Sequence, residues 1–278
     1  MNDVWRLVAL QWTGTVDPAE NLVQIRQLLQ QLPSTSQPQL VTLPEGALCF
    51  AGPATANLAL QEPLGQGLWQ QQLAQLAQEF GIYLLCGTFP TTTAKPTQFA
   101  ASSLLFSPSG TLLADYQKIH LFDAAVADST GHYQESAHTL AGEKLGFVAL
   151  DQLTLGLAIC YDVRFAGLFT AYRDLGCQVI ALPSAFTTVT GQAHWHTLLR
   201  ARAIECQSYI VAPAQTGTHA NGRQTYGHSL IIDPWGEVLA DAGTAPGLIY
   251  ADVDLLALAK IRQQMPIRQH NRFKSEFL

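Results

Sequence analysis

Short apolar runs alternate with amphipathic stretches along these 278 residues, and the two periods together predict a mixed α/β chain. Arg6 to Trp12 reads as a strand, and Asp17 as the cap of a helix that carries Pro18 in its first turn and runs to about Leu32. Gln39 to Leu43 is the next strand. Gly65 to Phe80 has helical spacing with glutamines on its polar face, and Ile82 to Phe89 is a nearly continuous apolar strand, which is the rhythm of a sheet covered by helices. Three hairpins are predicted: Ala101 to Phe106 with Thr111 to Ala114, Phe147 to Leu150 with Leu153 to Ile159, and Ser229 to Ala240 bending at Asp233-Pro234-Trp235-Gly236. Helices are expected at Phe165 to Leu175, His194 to Gln207 and Leu255 to Gln263, and strands at Gln178 to Leu182, Ser208 to Pro213 and Leu248 to Val253. Leu121 to Ala141 and Ser184 to Gly191 show no period and read as loops, and Gly217 to Gly222 as a turn. The first loop is long enough for a lid or binding loop, and the second, at a strand's carboxyl end, should line a pocket.

No Pro/Gly/Ser-rich linker or charge block divides the chain, so residues 1–278 are read as one domain with a polar, basic tail over 265–278 that can reach another subunit. The parts before and after about Leu140 share helix, strand and hairpin content, which fits two sheets packed face to face with helices outside. Apolar residues make up 48% and charged residues 13%, enough for a sizeable core with apolar surface left to bury against a second copy. The net charge of −6 argues against a nucleic-acid backbone or an anionic membrane as partner. Met1 to Arg6 lacks the basic and apolar regions of a signal peptide, so a cytoplasmic protein is expected. The five cysteines are widely spaced without metal-ligand patterns, and predict reduced thiols with no metal site.

Three stretches carry candidate chemistry. Thr154 to Ile159 is an apolar strand that ends in Cys160-Tyr161-Asp162, delivering a thiol to a strand-to-helix turn. There the positive end of the following helix would favour thiolate, and the Tyr161 N–H would be free to donate to an oxyanion. On this stretch alone, a small buried hydrophobe is an equal reading of Cys160. Leu43-Pro44-Glu45-Gly46 puts a carboxylate just past one strand, and Tyr116-Gln117-Lys118 an ammonium just past another. An exposed carboxylate and a solvated lysine are the common fates of these residue types.

Glu45, Lys118 and Cys160, each after a strand and in that order, resemble the triad of the nitrilase, or carbon-nitrogen hydrolase, superfamily. The resemblance continues through Glu135, Pro183-Ser184-Ala185-Phe186, His194-Trp195, Arg200 to Glu205, Tyr226-Gly227-His228-Ser229 and Asp233-Pro234-Trp235-Gly236, and so spans the chain. It implies a four-layer α-β-β-α sandwich of the nitrilase type and hydrolysis of a small carboxylic amide to acid and ammonia through a cysteine acyl-enzyme, with no cofactor. In the implied roles Glu45 is the general base, Cys160 the nucleophile, Lys118 and the Tyr161 N–H the oxyanion donors, and Glu135 the carboxylate that orients Lys118. Arg164, Phe186 and Thr190 would line the acid end of the substrate pocket, with Arg164 as carboxylate clamp or, alternatively, paired with Asp162 or another acid to brace the turn. The second half is most similar to amidases of deaminated glutathione, with omega-amidases of smaller keto-acid amides next. His196 in place of Glu, and Ala166-Gly167 in place of Pro-Glu, depart from that pattern. The family also implies a homodimer or larger assembly through the helices flanking the nucleophile turn. A non-catalytic binding protein of the same fold is the rival reading, disfavoured by the presence of Glu45, Lys118, Glu135 and Cys160 in one chain.

Overall fold

Strand β1 (Val4–Gln11) is apolar on both faces because both are covered. Trp5, Leu7 and Ala9 face one buried cluster, while Val8 and Leu10 face another. The computed structural model describes residues 3–273. Helix α1 (Pro18–Leu29) follows as the sequence predicts, with the Asp17 carboxylate accepting the Ala19 and Glu20 N–H groups. Next come β2 (Gln39–Thr42), α2 (Ala54–Leu60), α3 (Leu68–Phe80), β3 (Tyr83–Thr92), and the hairpin of β4 (Phe99–Phe106) and β5 (Leu112–Gln117). The expected loop over 121–141 holds a ribbon of β6 (Asp123–Ala125) and β7 (His132–Gln134) and a 3₁₀ turn at Glu135–Ala137. Strands that short show no period of two.

The hairpin of β8 (Gly146–Leu150) and β9 (Leu153–Leu157) leads to a 3₁₀ turn at Cys160–Arg164, then α4 (Ala166–Asp174) and β10 (Val179–Ala181). Helix α5 (Thr188–Cys206) begins at Thr188 and not at the predicted His194. The Thr187 hydroxyl caps it by accepting the Thr190 N–H, and so absorbs the second half of the expected loop into the helix. The rest is β11 (Tyr209–Ala212), a ribbon of β12 (Thr216–Thr218) and β13 (Gln224–Tyr226), β14 (Leu230–Ile232), β15 (Val238–Asp241), β16 (Gly247–Asp254), α6 (Leu255–Gln264) and α7 (Ile267–His270). Part of the expected tail is thus helical; 274–278, like 1–2, lie outside the described residues.

Two six-stranded sheets result, ordered β16-β1-β2-β3-β4-β5 and β15-β14-β11-β10-β9-β8. Their inner faces meet in one cluster, where Trp5, Leu7, Leu40, Leu85 and Leu105 of the first sheet join Leu155, Leu157, Ile180 and Val211 of the second. Ile25, Leu28, Leu73 and Leu76 of α1 and α3 cover the outer face of the first sheet, and Phe169, Tyr172, Trp195 and Leu199 of α4 and α5 that of the second. The layers are therefore α-β-β-α. The chain does not divide cleanly at Leu140, because β16 returns from the C-terminal part to pair antiparallel with β1. Burying a Leu, Val or Phe on either face contributes about 1.5–3 kcal/mol, which lets a strand as short as β10 sit mid-sheet.

Candidate active site

Glu45 follows β2, and its backbone is pinned from two directions. Gly87 of β3 lies so close to the Pro44 peptide that a Cβ there would stand 1.8 Å from the Pro44 carbonyl oxygen, a position only glycine allows. The Gly46 N–H donates to Thr88 Oγ1 at 2.7 Å, and Gln215 Nε2 donates to the Glu45 carbonyl at 3.1 Å while its Oε1 accepts the Gly14 N–H.

Lys118 directly follows β5, and Gly142 presses against it in the same way: its N–H donates to the Lys118 carbonyl, and a Cβ would meet the Gln117 carbonyl oxygen at 2.2 Å. The side chain is only 2% exposed, which removes the surface-lysine reading. Its Nζ donates to Glu45 Oε1 at 2.7 Å and to Glu135 Oε1 and Oε2 at 2.9 and 2.8 Å. Burial alone would lower the pKa, but the Glu135 and Glu45 carboxylates outweigh it and hold the ammonium well above the ordinary lysine range. Glu135 is fixed in turn by the Phe122 N–H at 2.7 Å. Burial pushes its carboxyl up, against the pull of Lys118 and with a further push from Glu45.

Cys160 adopts the left-handed backbone region with φ +45°, a strain of about 1–3 kcal/mol for a residue with a Cβ. Its N–H is anchored to the Pro183 carbonyl at the end of β10. The thiol is pushed well up, first by burial and then by the negative charge of Glu45, with Lys118 and the Ala185 backbone opposing. This runs against the expectation of a helix-stabilised thiolate: only a 3₁₀ turn follows Cys160, α4 starts at Ala166, and burial beside Glu45 pushes the thiol up instead of down. Among the described residues no acceptor takes the Tyr161 N–H.

Asp162, with no exposed surface, ties the lysine segment to the nucleophile turn. Its carboxylate accepts Tyr116 Oη and the Ile159 N–H, both at 2.8 Å, and the His120 N–H, and contacts His120 Nδ1 at 2.7 Å. From α5, Arg202 braces the same turn, donating through Nε to the Val163 carbonyl and pairing with Glu205. Asp162 is thereby fully engaged, and the alternative of an Arg164–Asp162 pair is not realised. Arg164 instead lies over the Tyr161 and Phe186 rings and meets His194 Nδ1 at 3.2 Å.

A single cavity of about 530 Å³ brings together every residue the sequence singled out: Glu45, Lys118, Glu135, Cys160, Tyr161, Arg164, Phe186 and Thr190. It also exposes one that sequence reasoning missed. Arg223 lines the wall over the Phe50 and Tyr133 rings, and nothing in its own segment signals this; Gln215, behind the cavity, braces the Glu45 carbonyl across 170 residues of chain. The departures His196 and Ala166-Gly167 do not line the cavity. His196 and His228 instead both contact the Asp241 carboxylate, at 3.1 and 3.0 Å, and these three bring one potential metal-ligand atom each within 4.8 Å of one another.

The family model for carbon-nitrogen hydrolases matches residues 6–263. Among curated proteins the chain is 40% identical to a deaminated glutathione amidase of Yersinia enterocolitica over 97% of this chain and 93% of that one. It is 36% identical to the omega-amidase NIT2 of Homo sapiens over 96% and 95%. Among solved structures it matches Saccharomyces cerevisiae Nit3, a member of branch 10 of the nitrilase superfamily, with a TM-score of 0.84 at 30% identity, covering 97% of each chain.

Proposed function

The chain belongs to the carbon-nitrogen hydrolase family and is a hydrolase of carbon–nitrogen bonds other than peptide bonds, and on that premise we propose that it cleaves the amide of a keto acid, deaminated glutathione foremost, through an acyl-enzyme on Cys160. The observation that carries the reading is the buried Lys118 ammonium held between Glu45 and Glu135 in the cavity that also holds Cys160. Glu45 takes the thiol proton as Cys160 attacks the carbonyl, which answers the raised resting pKa: the proton leaves only when the bond to carbon forms. Lys118 and the Tyr161 N–H receive the oxyanion. Glu45 then passes its proton to the leaving nitrogen, which departs as ammonia from a primary amide or as an amine from a substituted one. In the second half, Glu45 draws a proton from water, the hydroxide adds to the thioester, and collapse frees the acid and restores the thiol. Glu135 keeps Lys118 charged and aimed throughout. Arg164, with Phe186 and Thr190 beside it, holds the carboxylate of the acyl part.

One exposed apolar patch supports a homodimer or larger assembly. Ile204 on α5 and Trp235 in the β14–β15 bend are 49% and 65% exposed, and Gly236 packs against Ile204 so that they form one apolar patch. The five buried, unlinked cysteines support a reducing, cytoplasmic setting. The test is a panel of keto-acid amides, simple amides, nitriles and N-carbamoyl compounds given to the purified protein. Amine or ammonia release from the keto-acid amides, lost in Cys160→Ala, is expected; turnover of none of the panel would defeat the reading.

A further inference from the structure

His196, His228 and Asp241 form a cluster outside the cavity that the mechanism leaves unused. His196 Nε2 stands 3.1 Å from Asp241 Oδ2, and His228 Nδ1 stands 3.1 Å from the same oxygen and 3.0 Å from Oδ1. One potential ligand atom of each residue lies within 4.8 Å of the other two. The three come from α5, from the turn before β14 and from the end of β15. Because the histidines are 45 and 13 residues from Asp241 in the chain, no local spacing signals the cluster. Each member is nonetheless held in place. The His228 N–H donates to the Gly243 carbonyl at 2.6 Å, its carbonyl accepts Trp195 Nε1 at 2.7 Å, and its ring stacks on Tyr226 at 4.5 Å. The Gly243 N–H donates to Asp241 Oδ1 at 2.8 Å, so that Oδ2 faces both imidazoles. His196 follows Trp195, which has no exposed surface and anchors that turn of α5.

Two imidazole nitrogens and a carboxylate oxygen around one point are a ligand set with a chemical preference. Zinc lies about 2.0–2.2 Å from such atoms, so its tetrahedral ligands stand about 3.3–3.5 Å from one another. The two 3.1 Å separations from Oδ2 are already close to that spacing. Magnesium and calcium prefer oxygen ligands and are poorly served by two imidazoles. Three protein ligands leave the fourth position to water, which can reach it because the His196 and Asp241 side chains are 35% and 33% exposed. The set depends on His196, where the resembling amidases carry Glu: glutamate would add a second carboxylate beside Asp241, and histidine supplies the second nitrogen. A cation shared by the three would also join elements that matter to the site. Strand β15 is the edge of the second sheet, and α5 carries Thr190 on the cavity wall.

We propose that His196, His228 and Asp241 bind a divalent transition metal of the zinc class, apart from the catalytic cavity, and that the ion fastens α5 to β15. Calorimetric titration of zinc chloride into the full chain, first stripped of metal with a chelator, tests it. One zinc per chain should bind at micromolar or tighter affinity, magnesium and calcium should not bind at the same concentrations, and saturating zinc should raise the melting temperature by several degrees. Cobalt in place of zinc should give the visible bands of a four-coordinate site without a thiolate charge-transfer band, which separates this site from Cys160 and the other buried thiols. His196→Gln and Asp241→Asn should each weaken zinc at least about 100-fold, more than losing a hydrogen-bond partner of a ligand costs, and remove the rise in melting temperature. His228 has φ +53°, a backbone that asparagine tolerates, so His228→Asn decides the matter if either of the other variants does not fold. Zinc binding only at millimolar concentration, or binding and a melting rise that survive these substitutions, overturns the proposal and leaves the three residues as a hydrogen-bonded cluster.

Discussion

Lys118 shows how a residue's surroundings decide its chemistry. On the strength of its type it belongs at the surface, yet it is buried with three charge-assisted hydrogen bonds to two carboxylates. With Lys118 as the proposed oxyanion donor, Lys118→Ala should lower turnover ~10²-fold or more in steady-state assays; near-wild-type activity would mean the ammonium does not meet the transition state. Arg164 makes a different kind of prediction. With Arg164→Met, kcat/KM on a keto-acid amide should drop by ~2–5 kcal/mol while a neutral amide of similar length changes far less. Equal falls on both, or a fall matched by lost thermal stability, would mean Arg164 only braces the turn. Glu45, Lys118, Glu135 and Cys160 were legible because their chemistry is written in short segments. Arg223 was not, because what it touches lies on other elements, and a lone Arg beside a turn reads as surface. The direction of the Cys160 pKa was misread for a related reason: burial and the charge of Glu45, both set by tertiary packing, outweigh the local turn.

At the scale of elements, what positions the site is the approach of backbones through glycine. Gly87 lets β3 lie against the Pro44 peptide, and Gly142 lets the chain lie against β5 beside Lys118. Gly87→Ala should cost ~1–3 kcal/mol of stability, as overpacking does, and lower turnover by displacing Glu45. Wild-type melting temperature and activity in that variant would show that the contact does not hold the loop. The strands of the two six-stranded sheets and the helices α1, α3 and α4 were readable from period and caps. Helix α5 began early because Thr187 caps it, although Thr188-Val189-Thr190-Gly191 has poor helix propensity. Its buried positions, Gly191, Trp195, Leu199 and Arg202, do keep helical spacing. The ribbon β6–β7 was hidden because three-residue strands carry no pattern, yet it brings Glu135 to Lys118.

The whole molecule joins two sheets across one apolar interface, and the site is built where loops from both meet: Glu45 and Lys118 come from the first sheet, Cys160 and Phe186 from the second. That layering was implied by the family resemblance more than by the pattern, which could not show β16 closing the first sheet from the far end of the chain. The exposed Ile204–Trp235 patch predicts self-association, and sedimentation at micromolar protein should find a dimer or larger species; a monomer alone would contradict it. The central claim, that Cys160 carries the acyl group, is tested most directly by intact-protein mass spectrometry during turnover of a slow keto-acid amide. An adduct of the acyl mass on Cys160, absent from Cys160→Ala, is the predicted result. Product release by the wild-type protein with no adduct under conditions that trap thioesters, or substantial turnover by Cys160→Ala, would contradict it.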